Sequence, residues 1–381
     1  MTSDSSPSSG VSIDVLHVAS GDLWAGAEAQ LYSLCKQLQR LDNITVSAVL
    51  LNNGSLQERL MEADVRVIVL DETQLTSIEI FQKLRGVFKE HKPDIIHTHR
   101  QKENILASIA NFFSINAINV RTQHGAPEFD QTKLTWKRRL QKKLDQLCGR
   151  YLQKKVIAVS DELKEKLLDV FPDEHVLVVE NGVDEEQLIH CRANASFRIN
   201  QPDAIHIGIV GRLSPVKRVD IFIDIAETFL KRRIFQKKVY FHIVGDGPLM
   251  KPLRVLVNEG KLTDAVVFHG HVENTAPYIK SFDVLVMCSD HEGLPMTLLE
   301  AIVLNTPIVS HNAGALTHIL HRKEGGLLSE KHKPESYTDA LVDIINGSVH
   351  IQPVVKDISA KQNTAQIHTL YETLLQEARE V

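Results

Sequence analysis

From Ile13 onward, short apolar runs alternate with stretches in which apolar residues recur every three or four positions. Ile13–Ala19, Thr45–Leu50, Val65–Leu70, Ile95–Thr98, Asn119–Gln123, Val156–Ala158 and Val176–Val179 have the length and mostly unbroken apolar character of buried strands. Helical periodicity lies between them, for example over Ala27–Leu41 and Gln57–Glu62. Such alternation predicts a parallel, doubly wound sheet covered by helices. The rhythm restarts at Ile205–Val210 and continues through Val239–Val244, Ala265–Phe268, Val284–Met287 and Pro307–Ser310, after a polar connector from about Asp184 to Ala204. The expected fold is therefore α/β, with two Rossmann-like domains over residues 11–185 and 186–358. A Ser-rich tail, residues 1–10, is expected to be disordered, and residues 359–381 carry a last helix with Ile367, Leu370, Tyr371, Leu374 and Leu375 at helical spacing. Open α/β sheets bind ligands beyond the C-terminal ends of their strands, so the cleft between the two halves is the expected active site.

Composition narrows the class. A chain of 381 residues, 43% hydrophobic and 24% charged, can bury two cores and reads as soluble and globular. No apolar run approaches the roughly 20 residues needed to span a bilayer, and the first ten residues are polar rather than signal-like, which predicts a cytoplasmic protein. Cys35, Cys148, Cys191 and Cys288 are widely spaced, so they are expected to be reduced and mostly buried, not a disulfide framework or zinc site. A net charge of −5 argues against nucleic acid as a partner.

One segment departs from that average. From Lys133 to Lys155 there are nine Lys or Arg residues against one acid, Asp145, and Trp136, Leu140, Leu144, Leu147 and Tyr151 recur at helical spacing. This predicts an amphipathic helix with a cationic outer face. Its apolar stripe is expected to pack on the sheet, while its basic face can meet an anionic membrane surface.

The densest chemistry follows the run Val284–Met287. Glu292 lies in the loop before Gly293-Leu294-Pro295, and Glu300 lies inside the helix that Pro295 is expected to open. Two carboxylates thus straddle a helix N-terminus, where free N–H groups suit a phosphate and acids can accept from sugar hydroxyls. Gly211-Arg212 follows another strand, with Lys217 five residues on. A planar guanidinium and a compact ammonium at a strand mouth suit a diphosphate. Gly21 and Gly26 after the first strand bring backbone N–H groups near ligand, as does Gly245 in Gly245-Asp-Gly247, which lacks the third glycine of a dinucleotide fingerprint. His97 and His99 share one strand face, the geometry of a two-ligand metal site, but no third ligand stands out in the sequence and no metal is expected.

In order, Gly21-x4-Gly26-Ala-Glu28, Asp94-Ile-Ile-His97-Thr-His99, His124-Gly125, Ala158-Val-Ser160, Asn181-Gly-Val-Asp184, Gly211-Arg212-x4-Lys217, Gly245-Asp-Gly247 and Glu292-x7-Glu300 resemble glycosyltransferase family 4. These are retaining, nucleotide-sugar-dependent enzymes of the GT-B fold, and the resemblance runs from about Val11 to about Glu377. It implies an acceptor-side N-terminal domain, a nucleotide-sugar-binding C-terminal domain and a last helix that crosses back to the first. It implies that Arg212 and Lys217 stabilise the leaving diphosphate and that Glu300 holds the ribose. Glu292 and His124 then contact the transferred sugar, and the amides of Gly293 and Leu294 lie near phosphate. Asn181, Gly21, Gly26 and Gly245 complete the donor site. The expected activity is hexosyl transfer from a UDP- or GDP-sugar, with no cofactor or metal, to a lipid-linked or polysaccharide-precursor acceptor of the cell envelope. The expected place is the cytoplasmic face of the inner membrane. Asn305, Ala315 and His318 depart from the usual pattern near the donor. A sugar-nucleotide epimerase of the same fold and an inactive sugar-binding scaffold are the alternatives. A glycoside hydrolase does not account for Arg212 and Lys217.

Overall fold

A computed structural model describes residues 12–380 apart from 22–23, 126–134, 194, 314–315, 317–319, 321–324, 330, 353 and 355–356. The tail 1–10, Lys133, Ala315 and His318 lie outside the described residues. Strands β1 (Ile13–Ala19), β2 (Ile44–Leu50), β3 (Arg66–Val69), β4 (Ile95–Thr98), β5 (Ile118–Gln123), β6 (Lys155–Ala158) and β7 (Val176–Val178) form a parallel sheet in the order β3-β2-β1-β4-β5-β6-β7. A second parallel sheet has the order β10-β9-β8-β11-β12-β13. It is built from β8 (Ile205–Val210), β9 (Val239–Val244), β10 (Val266–Gly270), β11 (Val284–Met287), β12 (Ile308–Ser310) and β13 (Gly326–Leu328). Both are doubly wound, as the unbroken apolar strands require. The three-residue β13 is absent from the sequence reading, and the connector holds two short helices, Glu185–Ile189 and Ser196–Asn200.

The last helix, Ala360–Arg379, is capped by the Ser359 hydroxyl and buries Ile367, Leu370, Tyr371 and Leu374 in the core of the first domain against Leu31 and Leu34. Its start is pinned where Val183 bridges Ser359 and Gly182 leaves no room for a side chain against the Ser359 carbonyl. The two domains therefore share a continuous seam. Across it, Ser55 donates to Glu273 (2.8 Å), and the Asn181 amide donates to the Leu294 carbonyl (2.7 Å). The strand ends of both sheets open on the intervening cleft.

Candidate functional site

On the C-terminal side, β8 ends at Gly211, and a single 3-10 turn, Pro215–Lys217, carries Lys217 back over the strand edge. Its Nζ lies 2.6 Å from Glu292 Oε1, with the Glu292 side chain only 8% exposed. Arg212 is exposed at the same mouth and makes no ion pair among the described residues. These residues, with Ser289 and the apolar floor Val210, Val244 and Met287, line one cleft. The helix after Glu292 is Met296–Val303, with Pro295 as its uncapped N-terminal residue, one position earlier than expected. Glu300 lies on its second turn and accepts from the Thr275 hydroxyl (3.1 Å). Burial pushes its carboxyl up to about 7, the Thr275 bond pulling the other way.

Beside this cleft, Arg218 adopts a left-handed conformation and binds Asp220 and Asp290, and His332 reaches Asp290 while stacking on His311. Tyr337 bonds both imidazoles. Sequence reasoning missed this network, because its members come from four separate segments with no shared spacing.

On the N-terminal side, His124 follows β5 with its carbonyl against Gly293. A Cβ built on Gly293 would stand 2.8 Å from that oxygen. His124 Nε2 lies 3.2 Å from His99 Nδ1, and burial, with the nearby Arg100 charge, pushes the His124 imidazole down to about 4, so the ring is neutral. Glu103, buried at the start of the helix Gln101–Phe112, accepts from Ser20, and burial raises its carboxyl. Neither Ser20 nor Glu103 carries a motif signal.

The structure thus brings Arg212, Lys217 and Glu292 to one cleft, sets Gly293 and Leu294 at the seam against His124 and Asn181, and places Glu300 in the helix that follows. Four other candidates have structural tasks. Gly21 packs on Leu50, Asn52 and Leu56 of its own domain. Gly26 opens the helix Gly26–Leu38, where a Cβ would touch Met296 across the seam at 3.6 Å. Gly245, at φ +139°, allows two loops to meet, since a Cβ there would stand 1.9 Å from the Gly211 carbonyl oxygen. Asn181 is buried, donates its amide to the Leu294 carbonyl and so holds the donor loop, while lining a small pocket with Thr122 and His124. Asn305 takes φ +54° just past the helix Met296–Val303, a position asparagine tolerates, which explains why it can stand where glycine is common.

The four cysteines are free, three of them buried. The amphipathic helix forms at Trp136–Tyr151, but its orientation corrects the sequence reading. Cys148 and Gly149 face inward, and Arg121 of β5 pairs with Asp145 at 2.8 Å. Trp136 and Tyr151, each 71% exposed, and Leu140, Leu144 and Leu147 point outward.

Comparison with known proteins agrees with this geometry. The profile described as "Glycosyltransferase Family 4" matches residues 24–187, and that described as "Glycosyl transferases group 1" matches residues 204–347. The chain is 26% identical over 272 residues to the Escherichia coli UDP-Gal:alpha-D-GlcNAc-diphosphoundecaprenol alpha-1,3-galactosyltransferase, covering 70% of each. It is 23% identical to the Staphylococcus aureus capsular polysaccharide biosynthesis glycosyltransferase CapH, over 89% of this chain and 92% of that one. Among solved structures, Anabaena HepE in complex with UDP-glucose superposes with a TM-score of 0.76 at 18% identity, over 97% of this chain and all of that one. Profiles over both domains and a two-sheet architecture shared with these glycosyltransferases lead to one conclusion: the chain belongs to glycosyltransferase family 4, of the GT-B fold.

Proposed function

We propose that the protein transfers a hexose, with retention, from a nucleotide diphosphate sugar to a lipid-linked or polysaccharide-precursor acceptor in cell-envelope glycan synthesis. The observation that carries this reading is the Lys217–Glu292 pair at the strand mouth, with Arg212 beside it and Glu300 in the helix that follows. Negative charge builds on the departing diphosphate as the anomeric carbon becomes cationic, and Arg212 and Lys217 supply the opposing charge there. Those two cations meet the requirement without a metal. Glu292 serves as acceptor for hydroxyls of the transferred sugar, and Glu300 for those of the ribose. The leaving phosphate takes the acceptor proton on the same face, which gives retention. A uridine donor is favoured because the E. coli relative is named for UDP-galactose and HepE holds UDP-glucose.

The test is thermal. UDP at a hundredfold excess over its Kd should raise Tm by about 5 °C, and Arg212→Ala or Glu300→Ala should remove the shift. No shift with UDP, GDP or ADP contradicts the donor site. The response should also depend on pH. Glu300 accepts from both ribose hydroxyls most strongly when ionised, and its folded value near 7 puts that change inside the accessible range. UDP affinity should therefore fall roughly tenfold from pH 8 to pH 6, and Glu300→Gln should flatten this component. The sign for stability is opposite. The folded carboxyl holds its proton more tightly than the unfolded one, so the ligand-free protein loses stability as pH rises from the unfolded value, about 4.3, through 7.

The helix Trp136–Tyr151 supports a membrane-bound acceptor. No helix among the described residues is long and apolar enough to cross a bilayer. This one instead presents an outward apolar stripe flanked by Lys137, Arg139, Lys143 and Arg150, the pattern of a helix lying in the interface of an anionic leaflet. At low salt the protein should cosediment with phosphatidylglycerol vesicles and not with phosphatidylcholine ones. Leu140→Ser with Leu144→Ser should weaken this at least tenfold, and equal binding by that variant would remove the stripe from the proposal.

A further inference from the structure

Three imidazoles run head to tail from the floor of the first sheet to the cleft. His17 on β1 pairs in register with His97 on β4, and both are fully buried. His17 Nδ1 lies 3.0 Å from His99 Nε2, and His99 Nδ1 lies 3.2 Å from His124 Nε2. Successive ring centroids stand 5.2 and 5.5 Å apart with planes inclined by only 25°. Each contact is thus an in-plane N–H···N bond between neutral rings, and the proton must sit on the same nitrogen, Nδ1 or Nε2, in all three. A proton on Nδ1 throughout leaves His17 Nε2 as a bare lone pair. A proton on Nε2 throughout leaves His17 with an N–H that has no acceptor, since that atom is buried without a hydrogen-bond partner. A proton on Nδ1 throughout instead places the unpartnered N–H at His124 Nδ1, at the end of the row beside Gly293, where a bound ligand can satisfy it as nothing can in the floor of the sheet, so the first polarity is favoured.

We infer that His99, backed by His17, is a positioning residue that fixes His124 as the Nδ1–H tautomer and so presents a hydrogen-bond donor, not a base, to an oxygen of the transferred sugar. The ring nitrogen that carries the proton is set by the bond its other nitrogen makes. His124 Nδ1 is buried and has no hydrogen-bond partner in the protein, so the acceptor it lacks is the one a ligand oxygen would supply. His97 lies beside the row rather than in it. Its nitrogens are bonded to Tyr371 (2.6 Å) and Thr122 (2.8 Å), which locks the ring flat against His99. A metal held by His17, His97 and His99, whose nitrogens lie within 4.8 Å of one another, is the rival. It would have to break both His97 bonds and reorient a ring stacked parallel to its neighbour. Burial pushes the His17 imidazole down to about 3 and that of His99 well down, as neutral rings require.

A second row supplies an internal reference. His206, His242 and His269 are linked by two N···N contacts of 2.9 Å, and His206 Nε2 faces the Gln201 carbonyl, which can only accept. That row is forced into the opposite, Nε2–H polarity.

The inference rests on His124 as a donor-sugar contact, and the test separates the two. Long-range proton–nitrogen NMR of the histidine-labelled full chain should show His17, His99 and His124 as Nδ1–H, and His206, His242 and His269 as Nε2–H. His124 as Nε2–H or as a cation, or resonances of the first row that move on adding Zn²⁺ and return with chelator, would overturn it. In the transfer assay His99→Leu should lower kcat at least tenfold with little change in donor KM. His99→Asn, whose amide nitrogen can donate from the place of Nδ1, should restore most of it. Unchanged kcat in His99→Leu overturns the positioning role. His124→Ala in the same assay shows whether the contact it was meant to position exists.

Discussion

Replacing Lys217 by alanine should lower kcat for sugar transfer by about two to three orders of magnitude while the fold survives. Two losses combine. The ammonium that faces the departing diphosphate is gone, and Glu292, whose side chain is 8% exposed, keeps its charge without the cation 2.6 Å away. A buried carboxylate stripped of its partner is costly, so part of the deficit belongs to Glu292 rather than to lost phosphate contact. The double change Lys217→Met with Glu292→Gln separates the parts. If the pair acts as a unit, its deficit should resemble that of either single variant rather than their product. Lys217→Arg should recover little, because a planar fork does not reproduce a point charge on this turn. Wild-type kcat in Lys217→Ala would remove the residue from the reaction, whatever its effect on Tm.

The second large effect is expected at Gly293→Ala. The added methyl would stand 2.8 Å from the His124 carbonyl oxygen and 3.0 Å from a Val159 methyl, both on the opposite domain. Val159 lies in the buried cluster that joins the two domains, with Leu294 and Met296, and a small shift of one domain takes up the contact, so Tm should change by no more than about 2 °C. Separating the domains by a fraction of an ångström displaces Glu292 and Leu294 relative to His124, and misplacement on that scale costs about a hundredfold in rate. UDP affinity, set within the C-terminal domain, should fall much less than kcat. The measurement is kcat, donor KM and UDP Kd on one preparation. Equal loss of UDP affinity and kcat would show that the methyl deforms the nucleotide site and not the seam.

Much of this was legible beforehand. Strands such as Val284–Met287 are apolar on both faces and so announced parallel sheets. The cluster Arg212, Lys217, Glu292 and Glu300 combined residue types with spacing that a solvated surface has no reason to supply. What failed did so for identifiable reasons. Gly326–Leu328 is too short to carry a period. Gly21 and Gly245 signal close approach, and what a Cβ would meet there, Leu50, Asn52 and Leu56 in one case and the Gly211 carbonyl in the other, is set by parts of the chain distant in sequence. The helix Trp136–Tyr151 has a readable stripe, yet periodicity gives only the angle between apolar and polar faces. The Arg121–Asp145 pair and Gly149 against Phe171, all set by tertiary contact, turn the stripe outward. His17 is, with Asp14, one of two polar residues in an otherwise apolar strand, and only the β1/β4 register reveals that it meets His97 and His99.

The most direct test of the central claim is the anomeric configuration of the first product. Protein, an α-linked UDP-hexose and a polyprenyl-diphosphate-linked sugar in anionic vesicles should release UDP and form an α-glycoside, read from the anomeric proton coupling before any mutarotation. A β-glycoside, or a donor whose sugar is isomerised with the nucleotide still attached, would contradict retaining transfer.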